Sequence, residues 1–276
     1  MSVLSGLGLV FVAFGVGAYG AVTGVAGGFL LGPLLILVWK VPPAQAVGTT
    51  LTVVFLNSAT GAIGYAGRRW VDYRSGLVLA LAALPGSVLG AWGVKAVSGE
   101  TFMLALGALL VGVALYILFS SSRREPHLTP LPPLPGSSPR SLVTKEGTAY
   151  TYRVWEVGLA GVGTLFGFLS SFFGLGGGFL RTPLLIYAFR FPVKVAAATS
   201  LFAMALYTMI GVAAHGSQGN ISLPLALLGG VGVMAGSQVG VWAAPFVRAI
   251  WVLRALGLAL VAIGAQLMVT GLLKGV

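Results

Sequence analysis

The chain has 276 residues, of which 57 % are hydrophobic and 8 % charged. With a mean hydropathy of +0.99, that composition excludes a soluble globular domain and points to a membrane protein. The formal charge of +11 does not signal nucleic-acid binding, because most Lys and Arg sit at helix ends and in loops, the pattern that sets membrane topology. Cysteine is absent, which removes disulfides and thiolate chemistry, and nothing in the sequence calls for a cofactor.

Spanning a hydrocarbon core of ~30 Å takes ~20 apolar residues in a helix. The run 3–22 has no Lys or Arg before it, so it lacks the basic start of a cleaved signal peptide and reads as a retained first helix. A glycine-rich break, Gly24-Val25-Ala26-Gly27-Gly28, leads into the short run 29–39, and full-length runs follow at 43–66, 75–94 and 101–119. Residues 120–152 collect Ser, Pro, Arg and Glu, including Pro130-Leu131-Pro132-Pro133-Leu134-Pro135. This stretch is expected to be a polyproline-like or disordered spacer. The second half repeats the order: 154–173, the break Gly174-Leu175-Gly176-Gly177-Gly178, a short run 179–189, then 195–214, 222–243 and 249–273. The absence of ~10-residue alternation argues against a β-barrel.

The halves are copies. A shift of 150 residues lays 24–92 onto 174–242 with about 20 of 69 positions identical. The clearest stretch is Gly27-Gly28-Phe29-Leu30-x-x-Pro33-Leu34-Leu35-Ile36 against Gly177-Gly178-Phe179-Leu180-x-x-Pro183-Leu184-Leu185-Ile186. Two such units, each with a glycine-broken segment, are the layout of a secondary transporter whose binding site lies between repeats.

Charge sets the orientation. Arg68, Arg69 and Arg74 fall in one loop, and Arg123, Arg124, Arg140, Lys145 and Arg153 fall in the linker two helices later. Both loops are therefore expected inside, and the turn at 95–100 outside. Arg190, Lys194 and Arg248 place 190–194 and 244–249 inside. The loop 215–221 carries no Lys or Arg and goes outside, whereas its first-half equivalent is inside. The expected fold is thus an all-α polytopic membrane protein of two inverted repeats with about five helical segments each. Residues 1–119 and 153–276 form the repeats, 120–152 the cytoplasmic linker. Lys40 and Lys274 then fall on the outer side.

From Phe179 to Arg190 is 12 residues, ~18 Å of helix and too short to cross. The preceding run must then cross only part-way, which puts each glycine tip inside the membrane, the two entering from opposite faces. Broken backbone at that depth must be buried in protein or line a cavity. The helix starting after each tip turns its positive end inward, and two such ends suit an anion. The competing reading is that the glycines only allow close helix packing. The four-residue spacing of Gly232, Gly236 and Gly240, echoed by Ala82, Gly86 and Gly90, is read as packing of that kind.

At these motifs the chain resembles the TauE/SafE family of membrane transporters. The resemblance covers both halves and also takes in Ala198-Thr199-Ser200-Leu201 and its partner Gly48-Thr49-Thr50-Leu51. It implies a plasma-membrane permease for a small sulfur-containing anion, sulfite or an organosulfonate, exporting by alternating access. Uptake of another anion such as thiosulfate, or an anion channel, is the alternative. The first copy departs from the glycine pattern at Ala26.

The candidate substrate-binding residues are the tips Gly27, Gly28, Gly176, Gly177 and Gly178, with Phe29 and Phe179 just after them. Arg181 is the sharpest candidate, since an arginine at mid-membrane costs ~2.5–3.5 kcal/mol on insertion scales and needs a partner. No carboxylate lies at its depth in the sequence, so a bound oxyanion is its natural counter-ion. Capping by backbone carbonyls or snorkelling is the competing role, and Leu31 stands at the equivalent position. Thr49, Thr50, Thr199 and Ser200 lie early in the third helix of each half, with Asn57 and Tyr207 further along the face of Thr49 and Thr199. They either contact the anion or bond to their own backbone. Ser237 and Gln238 are assigned to inter-helix bonds, and His215 to an outer loop. Asp72, Glu100, Glu125, Glu146 and Glu156 all fall in loops or at helix ends, so no carboxylate-based coupling is expected. An intramembrane enzyme would lack its nucleophile, base and metal ligands. The partners expected are the anion and the lipid bilayer, with homo-oligomerisation left open.

Overall fold

The computed structural model describes residues 3–120, 135–246 and 249–274. The proline run up to Leu134, together with Arg123, Arg124, Glu125, His127 and Arg248, lies outside the described residues. Ten α-helices are present among the described residues: α1 (Val3–Thr23), α2 (Gly28–Leu37), α3 (Pro43–Gly67), α4 (Tyr73–Gly93), α5 (Gly99–Ser120), α6 (Glu156–Phe173), α7 (Gly178–Tyr187), α8 (Val193–Ser217), α9 (Leu223–Ala243) and α10 (Ala249–Lys274). Six of them, α1, α3, α4, α6, α8 and α9, are long and apolar enough to cross a membrane. The protein is a polytopic helical membrane protein. Contrary to the part-way crossing expected of the runs before each tip, α1 and α6 are themselves long enough to span. The half-length elements are α2 and α7, of 10 residues each.

The local chemistry explains these boundaries. Gly24, Gly27, Gly174, Gly176 and Gly177 all adopt positive φ, and Ala26 does so at +60°, a conformation glycine enters without a Cβ clash. Both short helices are followed by a left-handed residue, Lys40 or Arg190, and the next residue bonds back to the helix, Val41 N–H donating to Leu35 O and Phe191 N–H to Leu185 O. Pro42 and Pro192 then serve as N-cap residues of α3 and α8.

Packing exchanges elements between the halves. Helix α1 lies along α9, α4 along α6, α3 along α8 and α5 along α10. A β-carbon added at Gly236 would sit 2.0 Å from the Phe14 carbonyl oxygen, and one at Gly86 would sit 1.9 Å from that of Thr164. Gly232 and Gly240 meet Val10 and Ala18, and Gly90 meets Phe168, in the same way. The glycine spines of α4 and α9 are therefore backbone-to-backbone helix contacts, as their spacing predicts. Ser237 and Gln238 bond across to the Asn57 and Thr60 carbonyls at 3.3 and 3.2 Å. At the centre, Gly48 packs near His215, Leu51 near Gly211 and Gly61 near Leu201, so α3 and α8 run antiparallel. Several contacts recur after a 150-residue exchange: Gly24 meets Ala197, and Gly174 meets Val47.

The linker departs from the expected spacer. Strands β1 (Ser137–Val143) and β2 (Ala149–Trp155) pair antiparallel, Ser137 opposite Trp155 and Val143 opposite Ala149. Val154 and Tyr152 are buried on the α3–α4 and α7–α8 turns. The Tyr152 hydroxyl donates to Asp72 at 2.9 Å, its ring lies 5.0 Å from that of Phe191, and Lys145 N–H donates to Arg68 O at 3.1 Å. Burial and the neighbouring Asp72 charge push the Tyr152 hydroxyl well above its ordinary pKa, so it stays a donor. Arg140 pairs with Glu156 and lies 3.7 Å from Asp72.

Candidate functional site

The two tips converge at the middle of the helical core. A β-carbon on Gly28 would meet Val54 and the carbonyls of Gly174 and Leu175; one on Gly178 would meet Met204, Val25 and the carbonyl of Gly24. Val54 and Met204 sit near the midpoints of the 25-residue helices α3 and α8. Neither α2 nor α7 has a side-chain N-cap, so the positive ends of both helices open onto this junction. Phe29 is fully buried beside Tyr19, ring centroids 6.1 Å apart. Phe179 lies in the first turn of α7; its side chain is outside the described set.

Arg181 projects from α7 into the same core and is 1 % exposed. Its guanidinium donates to Ser200 Oγ from Nε and Nη2 at 3.2 and 3.1 Å, to Ser200 O at 2.8 Å and to Tyr207 OH at 3.1 Å. The carbon of the guanidinium also lies 5.3 Å from the Tyr207 ring centroid, a cation–π contact. The described carboxylates lie elsewhere: Asp72 and Glu156 against the hairpin, Glu146 against Trp70, Glu100 in the exposed first turn of α5. Arg181 is thus a buried cation whose hydrogen-bond partners among the described residues, Ser200 and Tyr207, are neutral. Burial without a counter-charge is the costly state of such a group.

The same network grips both tips. Ser200 Oγ donates to Gly24 O at 3.0 Å, and Thr182 Oγ1 lies 2.9 Å from Gly24 O and 3.0 Å from Ser200 Oγ. Tyr207 OH donates to Gly176 O, and Asn57 Nδ2 donates to Ala26 O at 2.9 Å. Asn57 and Tyr207 are 150 residues apart, and so are their acceptors. Several polar atoms of this core are buried without a hydrogen-bond partner: Thr50 Oγ1, Asn57 Oδ1, Ser58 Oγ and Ser170 Oγ. These are free donors and acceptors in the centre of a membrane protein.

The structure thus brings together Gly27, Gly28, Gly176, Gly177, Gly178, Arg181, Ser200, Tyr207, Thr50 and Asn57. It sets Thr49 and Thr199 apart, since their hydroxyls accept from Ser222 N–H (2.9 Å) and Asp72 N–H (3.0 Å) and so pin the opposite half's turn. Sequence reasoning missed Thr182 and Ser170. Thr182 replaces Gly32 in the repeat alignment, and a polar residue displacing glycine beside a tip was the available signal. It also misplaced His215, which is fully buried in the last turns of α8.

Against this geometry, a sequence model described as sulfite exporter TauE/SafE matches residues 9–267. The chain belongs to that family. Among curated relatives, the probable membrane transporter protein YunE of Bacillus subtilis is 29 % identical over 272 residues, covering 96 % of this chain and 97 % of its own. A probable membrane transporter protein of Xylella fastidiosa is 29 % identical over 233 residues, covering 83 % and 79 %. No solved structure matches. The family and these relatives are membrane transporters rather than enzymes.

Proposed function

We propose that this chain is a plasma-membrane permease for a small sulfur-containing anion such as sulfite or an organosulfonate, working by alternating access around Arg181. The observation that carries the reading is a fully buried arginine with neutral partners, set where two uncapped helix starts meet. An oxyanion would supply the missing charge and take guanidinium donors in pairs, while the helix ends add favourable dipoles. Thr50, Asn57 and Ser170 offer further hydrogen bonds to it.

The two halves supply the moving parts. The exchanged packing of α1 on α9 and α4 on α6, with α3 and α8 antiparallel, supports repeats of opposite orientation that rock about a shared centre. The basic residues Arg68, Arg69, Arg74, Arg140 and Lys145 support a cytoplasmic hairpin side. The family's description as sulfite exporters supports export as the direction.

Calorimetry on the purified protein tests the substrate class. Sulfite, thiosulfate and a small organosulfonate are titrated beside sulfate and chloride. Saturable binding of at least one sulfur anion, tighter than chloride, is the expected result. If all five fail to bind, the assignment of cargo is wrong.

A further inference from the structure

Comparing 150-residue partners separates side chains that only hold the fold from those that carry something more. Tyr65 in α3 and His215 in α8 are such partners. The Tyr65 hydroxyl donates to Ala21 O at 2.9 Å, and His215 Nε2 lies 2.9 Å from Ser171 O. Ala21 and Ser171 are themselves 150 residues apart and sit in the last turn before each tip. One hydrogen bond ties the central helix to the tip-bearing helix in each half, and in the first half a hydroxyl is enough. The second half uses an imidazole. Because a carbonyl only accepts, Nε2 holds the hydrogen and Nδ1 is left as a bare acceptor. That nitrogen is buried in a fully buried residue and has no hydrogen-bond partner.

Among the described residues, the elements packed around His215 place no anionic side chain beside it. Helix α3 packs on His215 at Gly48 and carries no charged residue. The charged residue of α6, Glu156, is at its opposite end, as is Lys194 on α8. The turn after α8 contributes Gln218 and Asn220, and Lys95 donates to Gln218 O at 3.1 Å. A proton on Nδ1 would therefore add a second buried cation to the one at Arg181. The two are joined physically. Ser171 Oγ lies 2.6 Å from Ser87 Oγ, which donates to Tyr207 O at 3.2 Å, and Tyr207 bonds Arg181 and the Gly176 tip.

From this geometry we infer that His215 Nδ1 is the binding site of a proton that travels with the anion, making the permease a proton–anion symporter. The inference rests on the anion reading above. Two buried cations in one core oppose each other, and an anion at Arg181 removes the opposition, so proton and anion each favour the other's binding. Tyr207 and His215 are eight residues apart on α8, ~12 Å along the helix. At an effective dielectric constant of about 20, that separation gives a coupling of about tenfold. No carboxylate is needed. The direction of net transport then follows the sum of the proton and anion gradients.

The test is calorimetry of the full chain with isethionate, a sulfonate that stays fully ionised, between about pH 8.5 and about pH 4, a window that reaches well below the free imidazole range. Wild type is expected to gain about tenfold in affinity on acidification and to take up protons on binding, read from buffers of different ionisation enthalpy. His215→Tyr, which restores the hydroxyl–carbonyl bond seen at Tyr65, binds with a pH-independent affinity matching the alkaline wild type and takes up no proton. His215→Gln gives the same result should the Tyr variant fail to fold. His127→Gln keeps the wild-type behaviour. A wild type with flat pH dependence, or variants with unchanged proton uptake, overturns the proton site while leaving the anion reading intact. Absence of isethionate, sulfite and thiosulfate binding at every pH instead overturns the anion reading, and the proton site with it.

Discussion

Replacing Arg181 by leucine separates an anion anchor from a structural clamp, because the two roles change stability and binding in opposite ways. Leucine already occupies the equivalent position as Leu31, 1 % exposed, so the volume fits this fold. Removing the guanidinium leaves no partner stranded: Ser200 Oγ keeps Gly24 O and Thr182, and Tyr207 keeps Gly176 O. The hydrogen bonds lost are offset by relief of the ~2.5–3.5 kcal/mol that a central arginine costs on insertion scales. The ligand-free variant should therefore unfold within about 1 kcal/mol of wild type, or later. Anion binding should weaken by ~2–5 kcal/mol, the usual loss when one partner of a buried charge pair is removed, which is ~30-fold to several thousand-fold in Kd. Thermal unfolding without ligand and calorimetry with the best-bound sulfur anion give both numbers. A variant that loses more than ~3 kcal/mol of stability and still binds within threefold of wild type would refute the reasoning.

Other outcomes follow from local geometry. Gly86→Ala drives a methyl to 1.9 Å from Thr164 O and should destabilise by ~1–3 kcal/mol or more. Gly112→Ala, in the exposed α5 face with nothing within 4 Å, should be neutral or stabilising by up to ~1 kcal/mol; unfolding midpoints compare the pair. Gly176→Ala combines φ +77° with a β-carbon 2.6 Å from Val54 Cγ1, a strain of ~1–2 kcal/mol from the dihedral alone. It should slow transport in proteoliposomes more than Ala26→Gly does in the other tip. Tyr152→Phe removes the hydroxyl donor of Asp72, worth ~1.5–3 kcal/mol for a charged acceptor. Faster hydrogen exchange in 149–155, with α8 unchanged, is the expected signature.

Much of the architecture was legible because membrane folding leaves few options for apolar runs and glycine breaks. The 150-residue repeat located both tips, and the spacing of Gly232, Gly236 and Gly240 announced their helix contact. Less visible were interactions that depend on three-dimensional exchange between halves. Nothing in the order of residues says that Thr49 will hold Ser222 or that Thr199 will hold Asp72. Asp72 stands at a helix end, as its place in the sequence suggests: it is the N-cap of α4, accepting from Ser75 N–H at 3.1 Å. The hairpin was hidden by the proline run before it, although Tyr150, Tyr152 and Val154 alternate as a strand should. The sequence places His215 at the start of an outer loop, whereas α8 continues to Ser217.

The central claim is that Arg181 anchors a transported sulfur anion between two moving halves, and counterflow in proteoliposomes tests it most directly. Vesicles loaded with unlabelled sulfite or isethionate are diluted into a trace of the labelled anion. The account predicts saturable, transient accumulation with wild type and none with Arg181→Leu protein that is folded to the same extent. Equal accumulation by both proteins would contradict it, and so would flux that rises linearly with concentration without saturating.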